Sequence, residues 1–142
     1  MMVSASLGYH SWEVRVYYED TDAGGVVYHS NYLKFAERAR TEFLRSHGIS
    51  QHDLNSLYAC VLVVSQLNIK YEQPARLDDT IQIRTGVEKW SNVSFYLDQS
   101  LWKAEEKIAH LKVTVVAVDS KTWRIKRLPP EVTKKLKEGL HG

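Results

Sequence analysis

The sequence predicts an α+β fold, an antiparallel β-sheet wrapped around one long central α-helix, and three observations carry that prediction. One stretch in the N-terminal third repeats its apolar residues at helical spacing, whereas nearly everything after residue 59 alternates with a period of two. The strand-like segments are joined by short connections, which favours antiparallel neighbours. Their apolar positions fall largely on one side, as a sheet with a single covered face requires.

Residues 12–19, WEVRVYYE, place Trp12, Val14, Val16 and Tyr18 on one face and read as the first strand. Residues 20–25, DTDAGG, are too acidic and glycine-rich for either period and read as a loop. Tyr32, Ala36, Ala39 and Phe43 then recur at helical spacing, with Lys34, Arg38, Thr41, Glu42 and Arg45 opposite. Ser30 or Asn31 is placed to cap this helix and Gly48 to end it. A helix over 31–47 is roughly 24 Å long, enough to cross a small sheet.

Residues 59–72 alternate strictly and are closed by Pro74, and 81–88 form the next strand. A turn at Ser91 and Asn92 leads to 93–97, followed by a strand over 109–117 and a short one over 123–127. Pro129 and Pro130 then precede a basic, helix-like tail. Both faces of 59–72 are rather apolar and its edge lacks a partner, so a dimer that extends the sheet is expected.

At 142 residues and 44% hydrophobic, the chain has the core material of one domain, spanning 1–142. No apolar run approaches the ~18 residues of a membrane span and no secretory signal pattern opens the sequence, so a soluble, cytoplasmic protein without a transmembrane segment is expected. The sole cysteine, Cys60, excludes an internal disulfide, and no ligand spacing indicates a metal site. A net charge of +2 argues against nucleic acid as a partner. The charge is uneven, however: Lys121, Arg124, Lys126, Arg127, Lys134, Lys135 and Lys137 face only Glu131 between residues 121 and 137. Such a run is either a solvated face or a phosphate site.

The acidic loop is the place to look for chemistry. It lies just before a helix N-terminus, where unpaired amides and the helix dipole favour negative charge. Gly24 and Gly25 permit close backbone approach, and a carboxylate from Asp20 or Asp22 beside such amides has the arrangement that acyl transfer requires. The competing reading is that these acids only cap turns. His29 is equally open between capping, filling a site and orienting water.

The run VRVYYEDTDAGGVVYH at 14–29, continued by Tyr32 and by ERARTE at 37–42, resembles the signature of hotdog-fold acyl-CoA thioesterases. It is most similar to the 4-hydroxybenzoyl-CoA thioesterase family, and within it to the bacterial Tol-Pal-associated acyl-CoA thioesterases. YEQPARLDD at 71–79 and the valine-rich strand ending in Val118 and Asp119 extend the likeness over nearly the whole chain.

The resemblance implies a hotdog fold, assembled as a dimer of dimers with active sites at subunit interfaces, and hydrolysis of an acyl-CoA to free acid and CoA. It puts the catalytic aspartate at Asp22, as general base or as nucleophile, and the oxyanion donor at the His29 amide. It implies substrate contacts at Tyr18, Gly25, Val27, Tyr28 and Ser94. No cofactor is implied, since CoA is part of the substrate. Ser91 and Asn92 stand where a family member uses arginines for CoA phosphates, so Arg124, Lys126 and Arg127 become the expected phosphate ligands beside them. Acyl carrier protein is the alternative thiol carrier. The competing functions are an acyl-thioester hydratase or dehydratase and a non-catalytic CoA-thioester or acyl-carrier-protein binding module.

Overall fold

The computed structural model describes residues 3–4 and 9–138. Six strands, β1 (Val3–Ser4), β2 (His10–Arg15), β3 (Cys60–Tyr71), β4 (Thr80–Trp90), β5 (Ser94–Lys103) and β6 (Glu106–Asp119), form one sheet. Every pairing is antiparallel, in the order β1-β4-β5-β6-β3, with β2 also on β4. Among the described residues the α-helices are α1 (His29–Ser46), α2 (Gln51–Tyr58) and α3 (Pro130–Glu138).

Helix α1 lies across β2 and β4 and buries Tyr32, Phe35, Ala36, Ala39, Phe43 and Leu44. They meet Ile81, Ile83, Leu97, Leu101, Leu111 and Val113 from alternate positions of three strands, the single covered face that the alternation predicts. Bulges at Val64/Gln66, Val87/Lys89 and Leu101/Trp102 raise the local twist and let the sheet curl. Strand β3 forms one edge of the sheet.

Several sequence-based boundaries need correction. The strand expected over 12–19 is β2, which ends at Arg15, and Tyr18–Asp20 form a 3-10 turn because the Asp20 carboxylate accepts from the Tyr17 amide at 2.9 Å. Tyr18 is accordingly 82% exposed and leaves the face that Val16 keeps. Helix α1 begins at His29, and its cap is Tyr28, without a side-chain bond, instead of Ser30 or Asn31. Its stop at Gly48, with φ +75°, is as expected.

The second half of β5 escaped detection because Gln99 interrupts the apolar period. Its fully buried amide donates to the Ala36 carbonyl and the Thr85 hydroxyl, both at 3.0 Å, and accepts from the Arg40 guanidinium at 2.9 Å. The expected strand over 123–127 reduces to one bridge between Val118 and Ile125, with Trp123 at φ +60° breaking the extended run. The basic tail does form a helix, α3, through burial of Val132 and Leu136.

Helix α2 is an addition to the central helix and the helix-like tail that the sequence predicts. Only Leu54 of its eight residues is buried, so it carries no periodic stripe, and a Ser50 cap on the Asp53 amide at 3.3 Å is its main local signal. It ends on Ala59 in a left-handed conformation, φ 50°. Ala59→Gly should therefore raise stability by about 0.5–1 kcal/mol, measured by urea unfolding, because glycine enters that region without the Cβ clash. Cys60 follows, buried, with its thiol pushed up by burial and thus a poor nucleophile.

Candidate active site

The loop before α1 is built on Asp20. Its buried carboxylate accepts from the Tyr17 amide at 2.9 Å and from the Asn31 side-chain amide at 2.8 Å, and its carbonyl accepts from the Tyr28 amide at 3.0 Å. One residue thus fixes both the loop and the first turn of the helix. The loop then folds back on itself: the Asp22 amide donates to the Val26 carbonyl at 2.9 Å and the Gly25 amide to the Asp22 carbonyl at 3.0 Å. Gly25 has φ +78°, which the turn requires. Val27 is buried and donates its amide to the Ala75 carbonyl at 2.8 Å, tying the loop to the segment after β3.

Asp22 stands at the tip of this frame with an exposed side chain. One carboxylate oxygen accepts from the Gly24 amide at 2.8 Å. The other meets no donor among the described residues. A Cβ on Gly24 would come within 3.2 Å of that first oxygen, so glycine there leaves the carboxylate its room.

His29 opens α1 and packs edge-on against Tyr71, with ring centroids 4.9 Å apart, while the Tyr71 hydroxyl donates to the His29 carbonyl at 3.2 Å. Tyr32 stacks edge-on against Tyr71 as well and accepts from the Ala75 amide at 2.9 Å. Among the described residues, the His29 and Ser30 amides find no acceptor, as expected for the first turn of a helix without a side-chain cap. Asp22, Val27, His29, Tyr32 and Tyr71 line one cleft of about 260 Å³. A carboxylate and a helix N-terminus with unused donors therefore share one small space, where an oxyanion and a nucleophile can be held together.

The other expected residues fall in two groups. Gly25 and Tyr28 flank the cleft, with the Tyr28 ring tilted against His29 at 6.4 Å, whereas Tyr18 points into water and does not line it. Ser91, Asn92, Ser94, Arg124, Lys126 and Arg127 gather elsewhere. The Ser91 and Ser94 hydroxyls bond each other at 2.8 Å in the β4–β5 turn, and the Asn92 carbonyl accepts from the Leu128 amide at 2.8 Å. Ser94 pairs with Val116, which pairs with Val63. Val63 lies eight residues along β3 from Tyr71, about 26 Å at ~3.3 Å per residue. These residues are thus at the opposite end of the sheet from Asp22.

Within this second group Lys126 is committed to structure. Its ammonium donates to the Tyr58 carbonyl at 2.7 Å and lies 3.5 Å from the Asp119 carboxylate. The Lys121 and Thr122 amides, with Lys126 beside them, hold the Asp119 carboxyl below its usual range. Arg124 and Arg127 are exposed and make no carboxylate contact among the described residues.

Sequence reading missed the pairing of Asp20 with Asn31 and the roles of Tyr32 and Tyr71. An acid two residues before the candidate catalyst and an amide in the first helical turn were the available signals; nothing in the alternation of β3 marked Tyr71 as a wall of the cleft. Among the described residues, no three His, Cys, Asp or Glu side chains gather at metal-binding distance. No described helix is long and apolar enough to cross a membrane.

Residues 16–136 match the thioesterase-like superfamily. The acyl-CoA thioester hydrolase YbgC of Escherichia coli O6:H1 is 42% identical over 128 residues, covering 89% of this chain and 95% of that protein. The acyl-CoA thioesterase YbgC of Haemophilus influenzae is 41% identical over 122 residues, covering 86% and 90%. Among solved structures, a probable thioesterase from Bartonella henselae superposes with a TM-score of 0.81 at 33% identity, covering 85% of this chain and 99% of that one. The helix-on-sheet architecture, the match over 16–136 and the identity across nearly the full length of these proteins agree, and the chain belongs to the thioesterase-like superfamily.

Proposed function

We propose that the protein hydrolyses acyl-CoA thioesters to free acid and CoA, with Asp22 as the reacting carboxylate and the His29 amide as oxyanion donor. The observation that carries this reading is the shared cleft of Asp22 and the α1 N-terminus. With the thioester carbonyl oxygen at the His29 amide, the charge that develops on it meets an unused donor and the positive end of the helix dipole, a contribution of ~3 kcal/mol for one such donor. Asp22 then takes a proton from water as the water adds to the carbonyl carbon, and collapse of the adduct expels the CoA thiolate. In the alternative route Asp22 itself adds, expels the thiolate and forms a mixed anhydride that water opens. Label in the Asp22 carboxylate after a single turnover in ¹⁸O-water would establish the anhydride route with opening at the Asp22 carbonyl, and trapping of the acyl-enzyme by hydroxylamine tests the anhydride when water opens it at the acyl carbon.

The distance between the two groups of expected residues shapes the assembly. A CoA whose thioester reaches Asp22 of one copy meets Ser94, Arg124 and Arg127 from a second copy, not from the same one. The open edge of β3 is the place where two sheets can join, as the first step to a dimer of dimers.

Thiol release from short, long and aromatic acyl-CoAs, and from acyl carrier protein loaded with the same acyl groups, tests the reaction. Release from acyl-CoA is expected; tight binding without release from any thioester would reject hydrolysis in favour of a binding module. Mixing an Asp22→Asn chain with an Arg124→Ala/Arg127→Ala chain tests the assembly. At subsaturating acyl-CoA the mixture should exceed both parents, because half of the sites in a mixed dimer regain one intact set. No gain from verified mixed dimers would place both groups in the same copy.

A further inference from the structure

The segment after β6 holds two large apolar side chains in water, Trp123 at 64% and Ile125 at 65% exposure, among Lys121, Arg124 and Arg127. The turn that presents them is well tied. The Asp119 carboxylate accepts from the Lys121 and Thr122 amides at 2.9 and 3.1 Å, the Trp123 amide donates to the Asp119 carbonyl at 2.8 Å, and the Asp119 amide donates to the Arg124 carbonyl at 2.8 Å. Trp123 itself sits at φ +60°, a conformation that bulky side chains enter only against steric resistance. The fold recovers little burial in exchange.

Charge narrows the occupant. Lys126 and Asp119 satisfy each other, which leaves Lys121, Arg124 and Arg127 without a carboxylate partner among the described residues. Three unneutralised cations within four residues of one exposed indole complement a ligand that is at once polyanionic and aromatic. Guanidinium forks suit phosphate oxygens, and an indole face suits a purine. The patch also adjoins the Ser91–Asn92 turn through the bond from the Leu128 amide to the Asn92 carbonyl, 2.8 Å.

We propose that Trp123 is the stacking platform for the adenine ring of CoA, with Arg124 and Arg127 on its phosphates. This rests on the acyl-CoA reading above and adds to it a residue that reads the nucleotide and takes no part in the chemistry.

The test uses the intact oligomer and the variants Trp123→Ala, Trp123→Phe and Trp123→Gly. Binding of adenosine 3′,5′-bisphosphate is measured by calorimetry, and steady-state constants are measured for one acyl group carried on CoA and on pantetheine. Trp123→Ala should raise the Kd for the bisphosphate and the KM for acyl-CoA roughly 5- to 100-fold, the span of one base–aromatic stack. The kcat and the acyl-pantetheine reaction should not move, and Trp123→Phe should recover most of the loss. Trp123→Gly should weaken binding equally while the thermal midpoint holds or rises, because glycine accepts φ +60°.

Equal loss on the pantetheine substrate, or a fall in the Trp123→Gly midpoint, would make Trp123 a structural residue and overturn the proposal. So would Trp123-dependent binding to phosphatidylcholine–phosphatidylglycerol vesicles with none to the bisphosphate. Bisphosphate binding through Trp123 without thiol release would leave the platform standing and remove hydrolysis. Release that is indifferent to Trp123 would do the reverse.

Discussion

Asp22→Asn should lower kcat for thiol release by about 10²–10⁴-fold, the range for loss of a positioned acid–base group, with the fold unchanged. The structure separates the two effects. Asp22 is exposed, and the one bond that its side chain makes among the described residues, from the Gly24 amide at 2.8 Å, needs only an oxygen acceptor that asparagine retains. Unfolding free energy should therefore shift by no more than about 0.5 kcal/mol. Binding of a non-hydrolysable acyl-CoA analogue should persist, since the His29 amide and the distant cationic group are untouched. Full activity in both Asp22→Asn and Asp22→Ala would remove the residue from the mechanism.

The neighbouring acid should behave differently. Asp20→Ala strips the acceptor from two donors at once, the Tyr17 amide and the Asn31 side chain, the latter beneath the surface. Leaving a buried donor such as the Asn31 amide unpaired costs about 1–3 kcal/mol, so this variant should lose stability that Asp22→Asn keeps. It should also lose activity, on the order of 10²-fold, because Asp20 sets both the loop that carries Asp22 and the helical turn that carries His29, and a displacement near 1 Å is enough for that. Asn31→Leu should follow it in both respects. The exchanged pair Asp20→Asn/Asn31→Asp rebuilds a donor and an acceptor across the same gap and should recover part of kcat. Recovery of stability without recovery of kcat would show that the carboxylate charge at Asp20, and not its geometry, matters.

The contrast between these two acids shows what the sequence could and could not reveal. Asp20 and Asp22 look alike in DTD; burial tells them apart, and burial is a tertiary quantity. Helix α1 was legible because seven of its residues are buried in a repeating stripe, whereas α2 buries only Leu54 and left no period to find. The strand β5 was half legible for the same reason, since the inward-facing Gln99 looks polar until its three partners are known. The basic residues near 124–127 were visible as a run. That Lys126 is held by Tyr58 and Asp119, and that the group stands across the sheet from Asp22, depended on strand register.

Gln99 also defines an angular tolerance. Its amide grips α1 at Ala36 and Arg40, near the middle of the helix, while the proposed oxyanion donor is the His29 amide, seven residues and about 10 Å up the axis. Sliding a helix by one residue turns it about 100° and advances it ~1.5 Å. A slip at the grip would be passed along the helix to its first turn, where the ties from Asp20 to Tyr28 and Asn31 oppose it, and would move the His29 amide relative to Asp22. A cleft at the rim of the protein is thus held in register from two places, by Asp20 within its own loop and by one neutral side chain in the interior, as an instrument is aimed by its pivot as well as by its tip.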